Sequence, residues 1–224
     1  MKNKINKTKK KTPWPTKAAM TQIYKEHLWG GKDHKFYSGE GSHNPSITTP
    51  YIRVVLDFLK SFETPLTVCD LGCGDFNIGR QLLPFCKEYN GVDIVEDLID
   101  HNKQNFTDKK ATFHCLDIAN DRLPDADCVI VRQVLQHLSN KEVHKVLDNL
   151  RKYKYVVLTE HLPNGEFIPN KDIISGQGIR IKIKSGLKIT ALPFKFKFKS
   201  QTELLNISLG KDEGEIVTTI FNLF

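Results

Sequence analysis

The amino-acid sequence predicts an α/β protein built on a doubly wound, mainly parallel sheet. Three observations lead there. Short apolar runs alternate with helix-length stretches from Leu66 onward, the order that builds a parallel sheet. The run V-C-D-L-G-C-G-D-F-N-I-G, Val68 to Gly79, places Gly72 and Gly74 directly behind the first strand. Three acids, Asp70, Asp93 and Asp117, close three successive strands, and ligands of such sheets bind at the carboxyl ends of strands.

The elements follow in order. Residues 1–16 are polar and basic and end in Pro13-Trp14-Pro15, which reads as a disordered tail. Residues 17–60 read as an N-terminal cap segment. It holds a helix from Thr16 to Leu28, an ordered loop from Trp29 to Pro45, and a helix from Ser46 to Leu59 broken at Pro50. A loop of that length inside a compact domain is usually functional or disordered. Residues 61–224 read as the main domain. Strands are expected at Leu66–Leu71, Tyr89–Asp93, Ala111–Leu116, Asp127–Val131 and Tyr155–Thr159. Helices are expected at Ile78–Phe85, Val95–Asn105 and Lys141–Lys152. Ile179–Lys184 and Phe194–Lys199 alternate apolar with basic residues, the pattern of strands with one basic face. Gly214–Phe224 reads as a last apolar strand, so the C-terminal end should be antiparallel.

Composition bounds the rest. The chain has 224 residues, 39% of them hydrophobic, enough for a core without disulfide support. No run approaches the ~18 apolar residues of a membrane span. No apolar stretch follows the basic N-terminus, which argues against a secretory leader. The five cysteines Cys69, Cys73, Cys86, Cys115 and Cys128 form no C-x-x-C pair. Buried free thiols in a reducing cytoplasm fit them better than a metal site or disulfide framework. Net charge is +7, and residues 1–17 hold seven lysines and no acid. The excess charge is thus a property of the tail: a solvated leader, or a loose contact with nucleic acid or an anionic surface.

Chemistry concentrates at the strand ends. Gly72 and Gly74 let the backbone turn tightly or approach a ligand. Asp93 follows Asp70 by 23 residues, near the roughly 20 of an acid that grips ribose hydroxyls. Asp117 stands where an adenine amino group could be accepted. A nicotinamide dinucleotide fits poorly, because its third glycine is replaced by Asn77. A carboxylate at Asp70 also suits a cationic ligand group better than a pyrophosphate.

In this order D-L-G-C-G-D, G-V-D-I, L-D-I and D-C-V-I-V-R-Q-V-L-Q-H-L resemble the class I S-adenosylmethionine-dependent methyltransferases, over about residues 66–160. The resemblance implies a Rossmann-like seven-stranded sheet whose last two strands form a hairpin, and S-adenosylmethionine as cofactor. It implies that Asp70 and Gly72 hold the methionine end, Asp93 the ribose, and Asp117 with the Ile118 backbone the adenine, with Cys73, Gly74 and Ile94 in the same cofactor site. Arg132, Gln133 and Val134 would line the pocket. The departure is at Phe76-Asn77, where the family's third small residue is missing. Trp29-Gly30, Ser38-Gly39-Glu40-Gly41-Ser42 and Thr49-Pro50-Tyr51 resemble a bacterial subgroup of small-molecule type, in which this segment caps the cofactor. Trp29, Tyr37, Ser38, Gly41, Ser42 and His43 are its candidate cap or substrate contacts.

Methyl transfer depends chiefly on positioning, and a base is needed only for a protonated acceptor. His137, His161 and Glu160 are the candidates, each weighed against a structural role. Asn170 and Asp172 are further candidate substrate contacts. The stripe Arg180, Lys182, Lys184, Lys195, Lys197 and Lys199 reads as a solvated face that blocks edge pairing, or as a track for phosphates. No D/N-P-P-Y/F/W motif or Pro-Cys nucleophile is present. A small-molecule or glycan-type acceptor is therefore expected. The alternatives are an RNA methyltransferase using the basic tail and C-terminal basic hairpin, or a non-catalytic cofactor-binding protein.

Overall fold

The computed structural model describes residues 13–224, so the lysines from Lys2 to Lys11 lie outside the described residues. The chain begins with α1 (Thr16–Lys25), α2 (Glu40–His43) and α3 (Pro45–Lys60). It continues through β1 (Thr67–Leu71), α4 (Gly79–Leu82), β2 (Glu88–Asp93), α5 (Glu96–Asn105), β3 (Ala111–Cys115) and β4 (Cys128–Arg132). Then come α6 (Asn140–Leu150), β5 (Tyr155–Leu162), β6 (Ser200–Gly210) and β7 (Gly214–Asn222). The sheet has seven strands in the order β3-β2-β1-β4-β5-β7-β6. The first five are parallel, and β7 lies antiparallel between β5 and β6. The order reverses at β1, so the ends of β1 and β4 flank the switch-point crevice.

Side-chain alternation sorts the strands onto two faces. Cys69, Leu71, Val129, Val131, Val156 and Leu158 face α6, whose Val143, Val146, Leu147 and Leu150 are buried. Val68, Cys128, Ile130 and Val157 face α3, α4 and α5. Ser139 caps α6 by accepting from Glu142 N–H, and Asn44 caps α3 by accepting from Ser46 N–H. Such caps are each worth about 1 kcal/mol.

Several expectations need correction. Pro50 does not break α3. An interior proline costs about 3 kcal/mol, but α3 buries Tyr51, Val55 and Leu59 against the sheet, which outweighs it. Neither alternating run is a strand. Arg180–Ile183 is a 3₁₀ turn in the long connection from β5 to β6, and Arg180 is buried. Phe194 and Phe196 do turn inward while Lys195, Lys197 and Lys199 are exposed, yet this run pairs with no strand. The hairpin is instead β6 and β7, with β6 at the edge of the sheet. The five thiols are free, four of them buried, and no helix among the described residues is long and apolar enough to cross a membrane.

Candidate active site

A cavity of about 450 Å³ lies at the carboxyl ends of β1, β2 and β4, within the ordinary range for small-ligand sites. The glycine loop after β1 forms its floor with Gly72, Cys73 and Gly74. Gly72 has φ +76, and a Cβ there would run into Val134 Cγ2. Here glycine permits a close approach that other residues could not. Gln133, at the end of β4, also sits at positive φ, +55. Non-glycine residues held there cost energy and concentrate at functional sites.

Asp93 closes β2 and lines the cavity. Its Oδ1 accepts from Val95 N–H at 3.1 Å and its Oδ2 from Gly74 N–H at 3.2 Å. Burial still pushes its carboxyl up to about 6 against these bonds. Further donors from a ligand would therefore be rewarded. Asp117 accepts from Ala119 N–H at 2.9 Å and Asn120 Nδ2 at 2.7 Å. Of the expected cofactor contacts, Gly72, Cys73, Gly74, Asp93, Ile94, Asp117, Ile118, Arg132, Gln133 and Val134 all line the cavity. Asp70 does not. Alternation turns it toward the α3 side, where its Oδ2 accepts from Tyr89 Oη at 2.8 Å.

The segment before β1 roofs the cavity. Trp29, Ser38, Gly41 and Ser42 line it. Tyr37 and His43 instead stack on each other at 4.3 Å outside the lining. The segment is latched to the glycine loop through Asp75. Its Oδ2 accepts from Ser38 N–H at 3.0 Å and from His43 Nε2–H at 2.6 Å. Asp75 N–H donates to Ser38 Oγ, and Asn77 Nδ2 donates to Ser42 O, at 2.8 and 2.7 Å. Arg132 donates to Ser42 Oγ and to the Gly41 carbonyl, with its guanidinium over the Tyr51 ring. Thr16, Met20 and Tyr24 bring α1 to the same wall. Glu142 is held there by the hydroxyls of Thr16, Ser139 and Ser175.

The far end of the cavity is lined by Gln136, His137, His161, Gln177, Ile179 and Lys182. His137 Nδ1–H donates to the Gly176 carbonyl at 3.1 Å. A carbonyl cannot donate, so Nε2 is the unprotonated nitrogen. Burial pushes this imidazole down to about 4, against backbone contacts at Gly176, Gln177 and Gly178 that favour the charged form. The Trp29 ring lies 5.3 Å from it. His161 sits inside β5, and its Nε2–H donates to Glu213 O at 2.6 Å. Glu160 does not line the cavity. It is 3% exposed, and neither carboxyl oxygen has a hydrogen-bond partner. Asn170 and Asp172 are fold contacts. Asn170 Nδ2 donates to the carbonyls of Lys188 and Leu192, and Asp172 accepts from Asn140 N–H. Asp75, Asn77, Glu142 and Gln177 were missed. The acid and amide flanking Phe76 in G-D-F-N were the available signal for the first two.

The residues fit S-adenosylmethionine. Gln133 Nε2 is a buried donor with no partner, Asp93 offers spare acceptor capacity, and Met20, Ile94, Ile118 and Leu138 give the walls apolar surface. The comparisons agree. Residues 68–153 match the methyltransferase domain family, while no curated protein matches the sequence. Among solved structures, the chain is similar to the N-methyltransferase NodS from Bradyrhizobium japonicum WM9 bound to S-adenosylhomocysteine. Identity is 15%, TM-score 0.65, with 91% of this chain and 98% of that one covered. Magnesium protoporphyrin IX methyltransferase from Synechocystis PCC 6803, with bound S-adenosylmethionine, gives 17% and 0.59, covering 95% and 100%. Human N-acetylserotonin methyltransferase with S-adenosylmethionine gives 18% and 0.58, covering 93% and 60%. Residues 68–153 thus carry the match to the methyltransferase domain family, and the chain as a whole shares the fold of these S-adenosylmethionine-dependent methyltransferases.

Proposed function

We propose that the chain transfers a methyl group from S-adenosylmethionine to a small-molecule or glycan-type acceptor held at the His137–Lys182 end of the cavity. The observation that carries this reading is the cavity itself. One continuous, capped space joins the strand-end acids Asp93 and Asp117 to a second set of polar side chains, Gln136, His137, Gln177 and Lys182. Two similar structures bear names of methyltransferases for compact acceptors, magnesium protoporphyrin IX and N-acetylserotonin.

When bound, S-adenosylmethionine supplies an electrophilic methyl group. Asp93 would hold the ribose hydroxyls, Asp117 and the Ile118 backbone the adenine, and the glycine loop the methionine end. Gln133 Nε2 offers a donor to the same ligand. The cap excludes water through Trp29 and the Ser38–Ser42 segment. His137 Nε2 accepts a hydrogen bond, or a proton, from the N–H or O–H of the acceptor. With its conjugate acid near 4, His137 is too weak a base for an aliphatic alcohol. It suits a hydroxyl that ionises readily, or a neutral amine that needs only its N–H held.

The nucleic-acid reading is less well supported. Lys199 N–H bonds to Asn222 O, and Asn222 pairs with Tyr155 at the start of β5. Lys197 and Lys199 thus lie at the sheet edge opposite the cavity. Calorimetric titration with S-adenosylmethionine, S-adenosylhomocysteine and NAD tests the cofactor. Binding of both adenosyl compounds and not NAD is expected, and binding of NAD alone overturns the reading. Release of S-adenosylhomocysteine across panels of amines, sugars and RNA then tests the acceptor. Turnover with RNA alone would favour the nucleic-acid alternative.

A further inference from the structure

The 3₁₀ turn Leu135–His137 presents Gln136 and His137 to the cavity, yet a residue outside the cavity holds it. Arg180 is 1% exposed. Its Nη1 donates to the carbonyls of Leu135 and Gln136, at 3.2 and 3.3 Å. Its Nη2 donates to Leu138 O and Asn140 Oδ1, both at 2.8 Å, and its Nε to Lys171 O at 3.0 Å. A guanidinium has five N–H donors in a rigid plane, and here each has an acceptor. Three of the five acceptors are carbonyls of one turn; Leu135 O also accepts from Leu138 N–H, but the Gln136 and Leu138 carbonyls depend on the guanidinium, and leaving a buried carbonyl unpaired has a real cost. The fifth, on Lys171, ties that turn to the connection between β5 and β6.

The same connection sets the imidazole. Gly176 N–H donates to His137 O at 3.0 Å, and His137 Nδ1–H donates back to Gly176 O. Gln136 Oε1 accepts from His161 N–H at 3.1 Å, which leaves its amide NH₂ 3.4 Å from His137 Nε2. Every hydrogen-bonding partner of His137 named here therefore stands on the two segments that Arg180 joins, while the Trp29 ring packs on it from the cap.

We infer that Arg180 is a positioning residue of the site: its grip on the 135–138 carbonyls holds His137 as one tautomer, with Nδ1 protonated and Nε2 kept as the acceptor, beside the Gln136 amide. Its meaning for catalysis rests on the proposed role of His137, but the geometry and its test need no acceptor. A lysine keeps the charge and loses the fork, since an ammonium is a point charge with three donors.

The test uses the full chain with ¹⁵N-labelled histidine. Long-range ¹H–¹⁵N spectra report which ring nitrogen carries the proton, and His137→Ala identifies the signal. The wild-type protein is expected to show a single Nδ1–H form of His137. Arg180→Lys is expected to lose that single pattern, while the affinity for S-adenosylhomocysteine, titrated on the same samples, stays at the wild-type value. A folded Arg180→Lys protein with the His137 pattern intact overturns the inference. Asn140→Ala removes one acceptor of the guanidinium and serves if the lysine variant does not fold; broadening of the His137 signal supports the inference and an unchanged signal opposes it. An Nε2–H or charged His137 in the wild-type protein overturns it without any variant. Failure of the wild-type protein to bind S-adenosylhomocysteine counts against the proposed function and leaves the histidine result standing.

Discussion

Glu160 gives the structure a stability that depends on pH in a definite sense. Its carboxyl is buried on β5, with no hydrogen-bond partner for either oxygen. Burial pushes it up to about 8, against the charge of Arg180 and the N–H groups of Gln136 and Leu135. In the unfolded chain a glutamate titrates near 4.5. Below that value both states are protonated, and the site carries no penalty. As pH rises from there toward 8, the unfolded chain ionises and the native protein does not, so stability falls by about 1.4 kcal/mol per pH unit. Above 8 both are ionised, and the loss levels off at a ceiling of roughly 5 kcal/mol. That is a large share of the roughly 5–15 kcal/mol that holds a typical domain together. Glu160→Gln keeps the shape and removes the titration. Urea unfolding at half-unit steps from pH 5 to 9, on both proteins, gives a difference curve from which other groups cancel. The expected curve descends from pH 5 to 8 in the wild type relative to the variant. A flat difference would refute the reasoning, because it would mean that water or a hidden partner reaches the carboxyl.

Further outcomes follow from the same geometry. Asp93→Asn should weaken S-adenosylhomocysteine binding by about 1.5–3 kcal/mol, the worth of charged hydrogen bonds, and an unchanged Kd by calorimetry would remove the ribose assignment. In the wild type that affinity should fall as pH drops through about 6, where Asp93 takes up a proton; a Kd constant from pH 5 to 8 contradicts it, and Asp70→Asn controls for the other carboxyl near 6. Gly72→Ala should lower Tm through its positive φ and the Val134 clash, and Val134→Ala should restore part of the loss; an additive double variant would deny the contact. Asp75→Asn should speed proteolytic cutting within residues 29–45, since it weakens the bonds from Ser38 and His43; an unchanged cleavage rate would mean that the latch contributes nothing.

Much of this was legible in the sequence because the information was local. β1 to β5 and the strand-end acids follow from short-range pattern and spacing, and the glycines of the turn mark the cavity floor. What was hidden depends on long-range pairing. Asp70 looks like a ligand contact by position, but Val68 and Asp70 share a face under period-2 alternation. That face belongs to α3, so the acid meets Tyr89 instead. Arg180 looks like one of a row of solvated cations, and only the carbonyls of a turn some 40 residues earlier explain its burial. β6 is paired on one side only, so its first half, Ser200 to Glu203, is polar and exposed, and the alternation of half-buried Leu205, Ile207 and Leu209 behind it went unread. Glu160 lies one residue beyond the expected end of β5, and that extension buries it.

The departure at Phe76-Asn77 has a physical explanation that joins the core to the cap. In the dinucleotide fingerprint the third glycine allows the helix to pack closely on the strand. Here Asn77 takes that place, and beside it stands Phe76, at φ +62. Its ring packs edge-on against Tyr89, Phe106 and Phe113, at 5.4, 4.9 and 4.8 Å. The space is cleared three residues later, at Gly79, where a Cβ would run into the Phe76 ring. The small residue has moved along the helix, and the loop has gained an aromatic anchor in the core. Its two neighbours point the other way. Asp75 and Asn77 bind Ser38, Ser42 and His43 of the cap. Four consecutive residues thus do three jobs: Gly74 gives its N–H to Asp93, Phe76 fixes the loop to the core, and Asp75 with Asn77 fixes the cap to the loop. A ligand that shifted the loop would therefore also load the bonds that hold the cap.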